Sequence, residues 1–263
     1  MPKPVAVVSG ATGTIGQVVV RRLLQEGYGV LALGRRQEAL TALYDQCRID
    51  TGLMGGKAWS LYTMVADFRE RTALLRFERQ LGSCDLLVTC HGAPPCIKPT
   101  TELSPSDYDS VMDVDLHGTF ELCQIVGDHM LTAGTGGNMV LLSSFHALGS
   151  YPQRCLYAMA KAGVCALARS LACEWAGAGI RVNAVAPGQI AGARTKAIAM
   201  TDEGTNILER MRQRAPAGRL VQAEDVAETV VWLTRTPGMN GQTVVLDHGV
   251  TASLYYENYE VKE

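Results

Sequence analysis

Short runs of apolar residues alternate with segments of helical periodicity along most of the sequence. The apolar runs lie at 5–9, 29–33, 57–65, 84–89, 139–142, 181–186 and 243–246. Strands that are apolar at nearly every position must be buried on both faces, and the helical segments between them can provide that cover. The sequence therefore predicts an α/β fold with a Rossmann-type, doubly wound parallel sheet.

The helical segments lie at 15–26, 37–48, 69–81, 106–131, 154–176 and 223–233. The alternation is interrupted at 189–218, where the periodicity is weak, and an irregular connection of that length is often a lid or a binding loop. No repeat or low-complexity linker divides the chain. We therefore expect residues 1–263 to form a single domain with a substrate loop at about 189–218.

Composition argues against several classes of function. The 263 residues include 24 basic and 26 acidic side chains, for a net charge of −2, so no basic surplus indicates a nucleic-acid partner. No apolar run reaches the roughly 18 residues of a membrane helix, and the start of the chain is too short for a signal peptide. The eight cysteines are scattered, which is typical of thiols in a reducing compartment. We expect a cytoplasmic protein that uses no metal and binds neither membrane nor nucleic acid.

A glycine-rich turn joins the first predicted strand to the first predicted helix. Glycines allow a pyrophosphate to approach the backbone closely, and the following helix N-terminus presents free N–H groups to it. The position of this turn predicts a dinucleotide-binding loop with the residues Gly10, Thr12, Gly13, Thr14, Ile15 and Gly16.

Arg35 and Arg36 follow closely after the second predicted strand. A carboxylate at this position would bind the ribose 2′-hydroxyl of NAD, and none is present. Guanidinium groups can instead bind a 2′-phosphate through paired, charge-assisted hydrogen bonds. The sequence thus favours NADP(H) over NAD(H).

Tyr157 and Lys161 are four residues apart on one face of a predicted helix, and Ser144 follows a predicted strand thirteen residues before the tyrosine. A free tyrosine titrates near pH ~10, and a nearby cation favours its phenolate. Together the three side chains could orient a carbonyl group, protonate it and relay the proton.

These segments together resemble the classical short-chain dehydrogenase/reductase family from end to end. The resemblance is carried by the loop 10–16, Asp67, the Ser144/Tyr157/Lys161 set, the stretch 181–188 and the stretch 241–249. It implies that Ser144 orients the substrate oxygen and that Tyr157 donates or accepts the proton. It also implies that Lys161 binds the nicotinamide ribose and lowers the pKa of the tyrosine.

The resemblance further implies the rest of the cofactor site and the assembly. Asp67 would contact the adenine, Gly92 and the neighbouring Cys90 would lie near the ribose, and the nicotinamide would lie near Ile15, Pro187, Gly188 and Ile190. Members of the family are usually homo-oligomers, so we expect a dimer or tetramer paired through the two longest helices. The expected activity is NADPH-dependent reduction of a ketone, or oxidation of a secondary alcohol.

Several residues depart from the family pattern. Thr14 stands where the family usually has a glycine. Asp115 stands where the family usually has an asparagine as its fourth catalytic residue. Gly192 stands where a hydroxyl residue is expected after Pro-Gly. The spacing of the glycines at 10, 13 and 16 also occurs in the extended branch, which contains epimerases and dehydratases. Such an enzyme, and a non-catalytic nucleotide-binding protein, are therefore alternatives. His91 and His146 are possible neighbours of the site.

Overall fold

Seven parallel strands form one sheet in the order β3-β2-β1-β4-β5-β6-β7 in the computed structural model, which describes residues 3–50, 60–94, 96–192 and 209–253. The strands are β1 (Val5–Ser9), β2 (Gly29–Gly34), β3 (Leu61–Val65), β4 (Leu86–Thr89), β5 (Gly137–Leu142), β6 (Ile180–Pro187) and β7 (Thr243–Leu246). The strand order reverses between β1 and β4, which opens a crevice at the carboxyl ends of the strands. The predicted fold class is confirmed.

Helices cover both faces of the sheet. They are α1 (Thr14–Gln25), α2 (Gln37–Asp50), α3 (Arg71–Gln80), α4 (Pro105–Met112), α5 (Gly118–Ala133), α6 (Cys155–Trp175) and α7 (Ala223–Arg235). One buried cluster, with Phe77, Leu122 and Trp175, joins the sheet to α3, α5 and α6. A second cluster, with Leu23 and Val226, joins the other face to α1, α2 and α7.

The helical stretch predicted at 106–131 is confirmed, and it contains a turn that the prediction did not include. The structure has α4 and α5 with a turn of π-helix, Asp113–His117, between them. Ser104 caps α4 through a capping box with Asp107, and Pro105 occupies its first turn. Single π turns inside helices are frequent at functional sites, and this one carries the fully buried Asp115.

Helix α6 and the short turn after it, Cys155–Ala178, are together long and apolar enough to cross a membrane by length and composition. Lys161 and Arg169 lie within it, so it is not an uninterrupted apolar run of about 18 residues, which the sequence was expected to lack. The helix packs on the sheet and buries Val164, Ala168 and Ala172 in the core. The apolar character of α6 is therefore accounted for by its place between the sheet and the neighbouring helices.

The connection predicted as a substrate loop is described at its two ends. After β6, Ile190 forms an isolated bridge to Val221, and residues 209–213 are helical. The section 193–208 lies outside the described residues, as do residues 57–59 of the run predicted as the third strand.

Candidate active site

A cavity of about 580 Å³ lies at the carboxyl ends of β1, β4, β5 and β6. It is lined by the turn before α1, by the turn after β4, and by residues that follow β5 and β6. Tyr157, Lys161, Ser144 and Asp115 all border it. The four residues proposed from the sequence as catalytic are thus brought to one cavity from separate elements.

Tyr157 and Lys161 lie on consecutive turns of α6 and point to the same space. The Lys161 Nζ atom is 5.7 Å from the centroid of the Tyr157 ring. Tyr157 is half-buried, whereas Lys161 is 3% exposed. The phenol therefore remains open to a ligand while the ammonium group is enclosed beside it.

The hydroxyls of the two neighbouring serines after β5 have different partners. Ser143 Oγ donates to the carbonyl oxygen of Lys161 at 2.8 Å and accepts from Cys165 Sγ at 3.1 Å, so it ties the end of β5 to α6. Ser144 Oγ accepts only a long hydrogen bond from the His146 N–H, at 3.3 Å. Among the described contacts, the Ser144 hydroxyl thus keeps its hydrogen to donate to a ligand in the cavity.

Asp115 lies against the lysine. Its Oδ1 atom is 2.8 Å from Lys161 Nζ in an ion-pair contact, although the geometry is not that of an aligned hydrogen bond. Its Oδ2 atom accepts from the Ala93 N–H at 3.2 Å, and Lys161 Nζ also donates to the Leu142 carbonyl oxygen at 3.2 Å. Burial opposes the charge on Lys161, but Asp115 and Tyr157 outweigh it and raise the pKa of the ammonium group.

The glycine turn after β1 has no room for side chains at two positions. Gly10 has a φ of +61°, and a β-carbon there would lie 2.5 Å from the backbone nitrogen of His91. A β-carbon at Gly16 would lie 2.2 Å from the Gly10 carbonyl oxygen. The turn thus packs directly on the turn after β4, and α1 begins at Thr14, after the exposed Gly13 and without a side-chain cap.

A second cavity, of about 250 Å³, continues from the first toward the end of β2. The two share Gly13, Cys90, His91 and Gly92 as lining residues. The remaining lining of the smaller cavity includes the other sequence-predicted contacts Gly10, Thr12, Arg35, Arg36 and Asp67.

Arg35 and Arg36 are exposed at the mouth of this second cavity. Asp67 forms a two-point ion pair with Arg69, at 2.6 and 3.0 Å. The hydrogen bond from Arg69 is the main cause that lowers the pKa of Asp67, and the charge of Arg35 adds to it. A groove with two cations at one end and the Tyr157 phenol at the other therefore crosses the sheet edge.

His91 is buried between the two cavities, and both ring nitrogens are bonded. Its Nδ1 lies 2.6 Å from Ser9 Oγ, and its Nε2 lies 3.2 Å from Thr119 Oγ1. Because the Thr119 hydroxyl donates to the Asp115 carbonyl oxygen, the ring must donate from Nε2 and accept at Nδ1. Burial lowers the pKa of His91 to about 3. The histidine is thus a neutral structural link from β1 to the π turn.

His146 lies at the wall of the larger cavity beside the catalytic candidates. Its ring stands edge-on to Tyr157, with centroids 5.6 Å apart, and also contacts Tyr151 and Phe145. Its Nδ1 is buried without a hydrogen bond. Burial, helped by the charge of Arg154, lowers the pKa of His146 to about 4. The imidazole therefore presents a neutral wall to the cavity.

Two residues that depart from the family pattern, Thr14 and Gly192, lie next to each other in the lining of the larger cavity. A β-carbon on Gly192 would lie 2.5 Å from Thr14 Cγ2 and 2.9 Å from Thr14 Oγ1. Thr14, which stands where the family usually has a glycine, thus fills the space beside Gly192. Gly192 in turn stands where the family usually has a hydroxyl residue. Nothing in the local pattern around either residue indicates this pairing.

The other predicted nicotinamide neighbours, Ile15, Pro187, Gly188 and Ile190, also line the larger cavity. Sequence reasoning did not single out Phe145, Arg154 or Met211, which line it as well. Met211 falls within the predicted substrate loop, but the spacing of these residues carries no signal of its own. In the part of the chain that the structure describes, no group of three or more histidine, cysteine or acidic residues could hold a metal ion.

Comparison with known proteins is consistent with this geometry. A family model described as enoyl-(acyl carrier protein) reductase matches residues 10–251. The D-threitol dehydrogenase of Mycolicibacterium smegmatis is 32% identical over 255 residues, which cover 94% of this chain and 92% of that protein.

Solved structures give the same result. A gluconate 5-dehydrogenase from Burkholderia cenocepacia, in complex with NADP and tartrate, superimposes with a TM-score of 0.83 at 27% identity and covers 97% of both chains. An actinorhodin polyketide ketoreductase with NADPH gives a TM-score of 0.84 at 26% identity, covering 94% of this chain and 97% of the other. The chain belongs to the classical short-chain dehydrogenase/reductase family of oxidoreductases.

Proposed function

We propose that the protein is an NADPH-dependent oxidoreductase that interconverts a ketone and a secondary alcohol, with Tyr157 as the acid and base. The observation that carries this proposal is the joining of two cavities: one holds Ser144, Tyr157 and Lys161, and the other holds Arg35 and Arg36. A nicotinamide dinucleotide could reach from one cavity to the other, with its 2′-phosphate at the arginines and its nicotinamide beside Tyr157.

The chain fits such a cofactor at three points. The turn after β1 presents the exposed Gly13 directly before the first residue of α1, where a pyrophosphate could meet the helix N-terminus. Arg35 and Arg36 offer guanidinium groups to a 2′-phosphate. Lys161 and the turn at Gly92 would hold the ribose beside Tyr157, and the nicotinamide, when bound, supplies or accepts the hydride. The NADP and NADPH complexes of the two related structures support the same choice.

The proton chemistry belongs to the chain itself. Ser144 Oγ would donate a hydrogen bond to the substrate oxygen and hold it near the Tyr157 phenol. During reduction the phenol gives its proton to that oxygen, and the resulting phenolate is stabilised by the ammonium group of Lys161. In the opposite direction the phenolate accepts the proton of the alcohol.

The lining of the larger cavity supports a small-molecule substrate. Its outer part combines apolar residues, such as Ile97 and Met211, with the polar Arg154 and Gln189. We propose that the connection at 189–218 forms the rest of the substrate pocket within one domain of residues 1–263.

We also propose a cytoplasmic homo-oligomer, a dimer or tetramer. Phe120 on α5 and Met159 on α6 are exposed apolar side chains on the two helices expected to pair. Burial of such residues between subunits would remove apolar surface from water.

The alternatives are less well supported. An extended-type epimerase or dehydratase would share the glycine spacing, but the chain matches dehydrogenases and reductases over more than nine-tenths of its length. A non-catalytic nucleotide-binding protein would have no need for a serine, a tyrosine and a lysine around one cavity.

A panel of ketones with NADPH, and of alcohols with NADP, tests the proposal directly. The alcohols should include threitol and gluconate, because related proteins are named for these compounds. We expect a change in cofactor absorbance with at least one substrate, and a smaller response with NADH or NAD. Tight NADPH binding with no turnover of any substrate would favour the non-catalytic alternative.

A further inference from the structure

The ion pair at the base of the active-site cavity has a charge that the family's usual asparagine would not supply. The Asp115 side chain is completely buried, and that of Lys161 is 4% exposed. Their 2.8 Å contact makes the buried pair neutral as a whole. With asparagine at this position, the same site would carry a net positive charge beside Tyr157.

We propose that Asp115 is a positioning residue whose carboxylate offsets the charge of Lys161, and so keeps the Tyr157 phenol protonated to higher pH. This inference rests on the proposed function, because it concerns the pH range in which Tyr157, the proposed proton donor, stays protonated. Its consequence is that carbonyl reduction continues to higher pH, and that alcohol oxidation needs a more alkaline solution.

Asp115 makes this contact from within the π turn. A carboxylate at position 115 reaches Lys161 on one side and the Ala93 N–H on the other. The π turn is also held by hydrogen bonds to its backbone. The Thr119 hydroxyl donates to the Asp115 carbonyl oxygen and also binds His91. The carboxylate is thus fixed by its own backbone as well as by its partner.

Apart from Arg154 at the outer side of the cavity, the other titratable groups that face this pair are uncharged at neutral pH. Cys90, directly after β4, is half-buried, and desolvation raises its pKa to about 12. His91 and His146 have pKa values lowered by burial to about 3 and about 4. Arg154 acts on His146 at the outer side of the cavity. The only carboxylate among the described residues that line the larger cavity is Asp115.

Removal of the Asp115 charge should favour the Tyr157 phenolate. A cation near a phenol stabilises the phenolate, and an anion near it stabilises the neutral phenol. Replacement of Asp115 by asparagine keeps a side chain of the same size that can accept from Lys161, but removes the negative charge. The phenol should then lose its proton at lower pH than in the parent protein.

The test is a titration of Tyr157 in protein without cofactor or substrate. Tyrosinate formation is followed by ultraviolet difference absorbance, and each protein is compared with its own Tyr157→Phe counterpart so that the other tyrosines cancel. For Asp115→Asn we expect the midpoint to fall by roughly one to two pH units. The matched control is Asp113→Asn, which removes an exposed carboxylate from the same π turn, and it should leave the midpoint unchanged.

An unchanged or raised midpoint in Asp115→Asn would overturn the proposal. The result does not depend on turnover, so a protein that binds NADPH but reduces nothing can still support or refute it. Where turnover is found, the limb of the kcat/KM profile for reduction that falls at high pH should shift downward with the titration midpoint in Asp115→Asn.

A double variant covers the case in which Asp115→Asn does not fold. Asp115→Asn with Lys161→Met removes both charges and leaves no buried ion without a partner. If the two charges cancel in the parent, the midpoint of the double variant should stay within about half a pH unit of the parent. A rise of about one unit or more would mean that the lysine acts unopposed in the parent protein, which contradicts the proposal.

Discussion

Thr14 fills the space into which any side chain at position 192 would project: a β-carbon on Gly192 would lie 2.5 Å from Thr14 Cγ2. The two residues are far apart in sequence and come from the helix start after β1 and the connection after β6. The threonine at position 14 therefore explains why position 192 is a glycine, and the glycine at 192 leaves room for the threonine.

This contact predicts a compensating pair of substitutions. Gly192→Thr should destabilise the protein by ~1–3 kcal/mol, because it adds atoms where Thr14 already lies. Adding Thr14→Gly should recover much of that loss, in spite of the ~0.5–1 kcal/mol cost of glycine in a helix. Denaturant unfolding of the parent, both single variants and the double variant gives the coupling energy. Additive effects of the two substitutions would show that the side chains do not share this space.

Cofactor preference should depend on Arg35. Arg35→Asp removes a guanidinium group from the mouth of the smaller cavity and puts a carboxylate there, so NADPH binding should weaken by ~1.5–3 kcal/mol. NADH binding should weaken less or improve. Arg48→Asp makes the same change of charge at an exposed position near the end of α2, and should leave both affinities unchanged. Equal affinity of the parent protein for NADH and NADPH would contradict the assigned role.

Substitution of the two adjacent serines should affect different properties, the unfolding free energy for Ser143 and the reaction rate for Ser144. Ser143→Ala removes the hydrogen bond to the Lys161 carbonyl oxygen and leaves a buried acceptor, so it should cost ~1–3 kcal/mol of unfolding free energy. Ser144→Ala should change stability little and lower kcat, because its hydroxyl is assigned to the substrate oxygen. Thermal unfolding and single-turnover rates measure the two effects. The reverse pattern would assign the substrate contact to Ser143.

Most of the fold is predictable from the sequence because it depends on local pattern. Each strand of the sheet is an apolar run, and the helices between them have regular spacing. The π turn at Asp113–His117 is different, since the residues on either side have ordinary helical spacing and nothing in that spacing marks the turn. The contacts of Asp115 with Lys161 and of Thr14 with Gly192 likewise join distant parts of the chain. A sequence can indicate that such residues are unusual, but not what they touch.

Stability should fall in mild acid because of His91. Its pKa is about 6.5 in the unfolded chain and about 3 in the folded protein, where burial disfavours the charged ring. Between these values the unfolded state binds the extra proton, so this contribution is complete above pH ~6.5 and is lost as the pH falls, by up to ~1.4 kcal/mol per pH unit. His146 acts in the same direction and will leave part of the slope in any His91 variant.

The comparison variant is His91→Asn, which should show a flatter decrease in unfolding free energy between pH 7 and pH 5 than the parent. His117→Asn, at an exposed position in the π turn, should keep the parental slope. Equal slopes in the parent and His91→Asn would mean that His91 takes up its proton without unfolding.

The proposed chemistry is tested most directly by the turnover number of Tyr157→Phe, measured with NADPH and the best substrate of the panel. The substitution removes one hydroxyl and keeps the ring that packs against His146, so the fold and NADPH affinity should survive. Tyr151→Phe removes the same group from a neighbouring tyrosine that contacts the same histidine, and should turn over at a near-parental rate. Because a positioned proton donor contributes ~10²–10⁴-fold to the rate, we predict that kcat of Tyr157→Phe falls by at least that order. A Tyr157→Phe enzyme with near-parental turnover would contradict the assignment of Tyr157 as the acid and base.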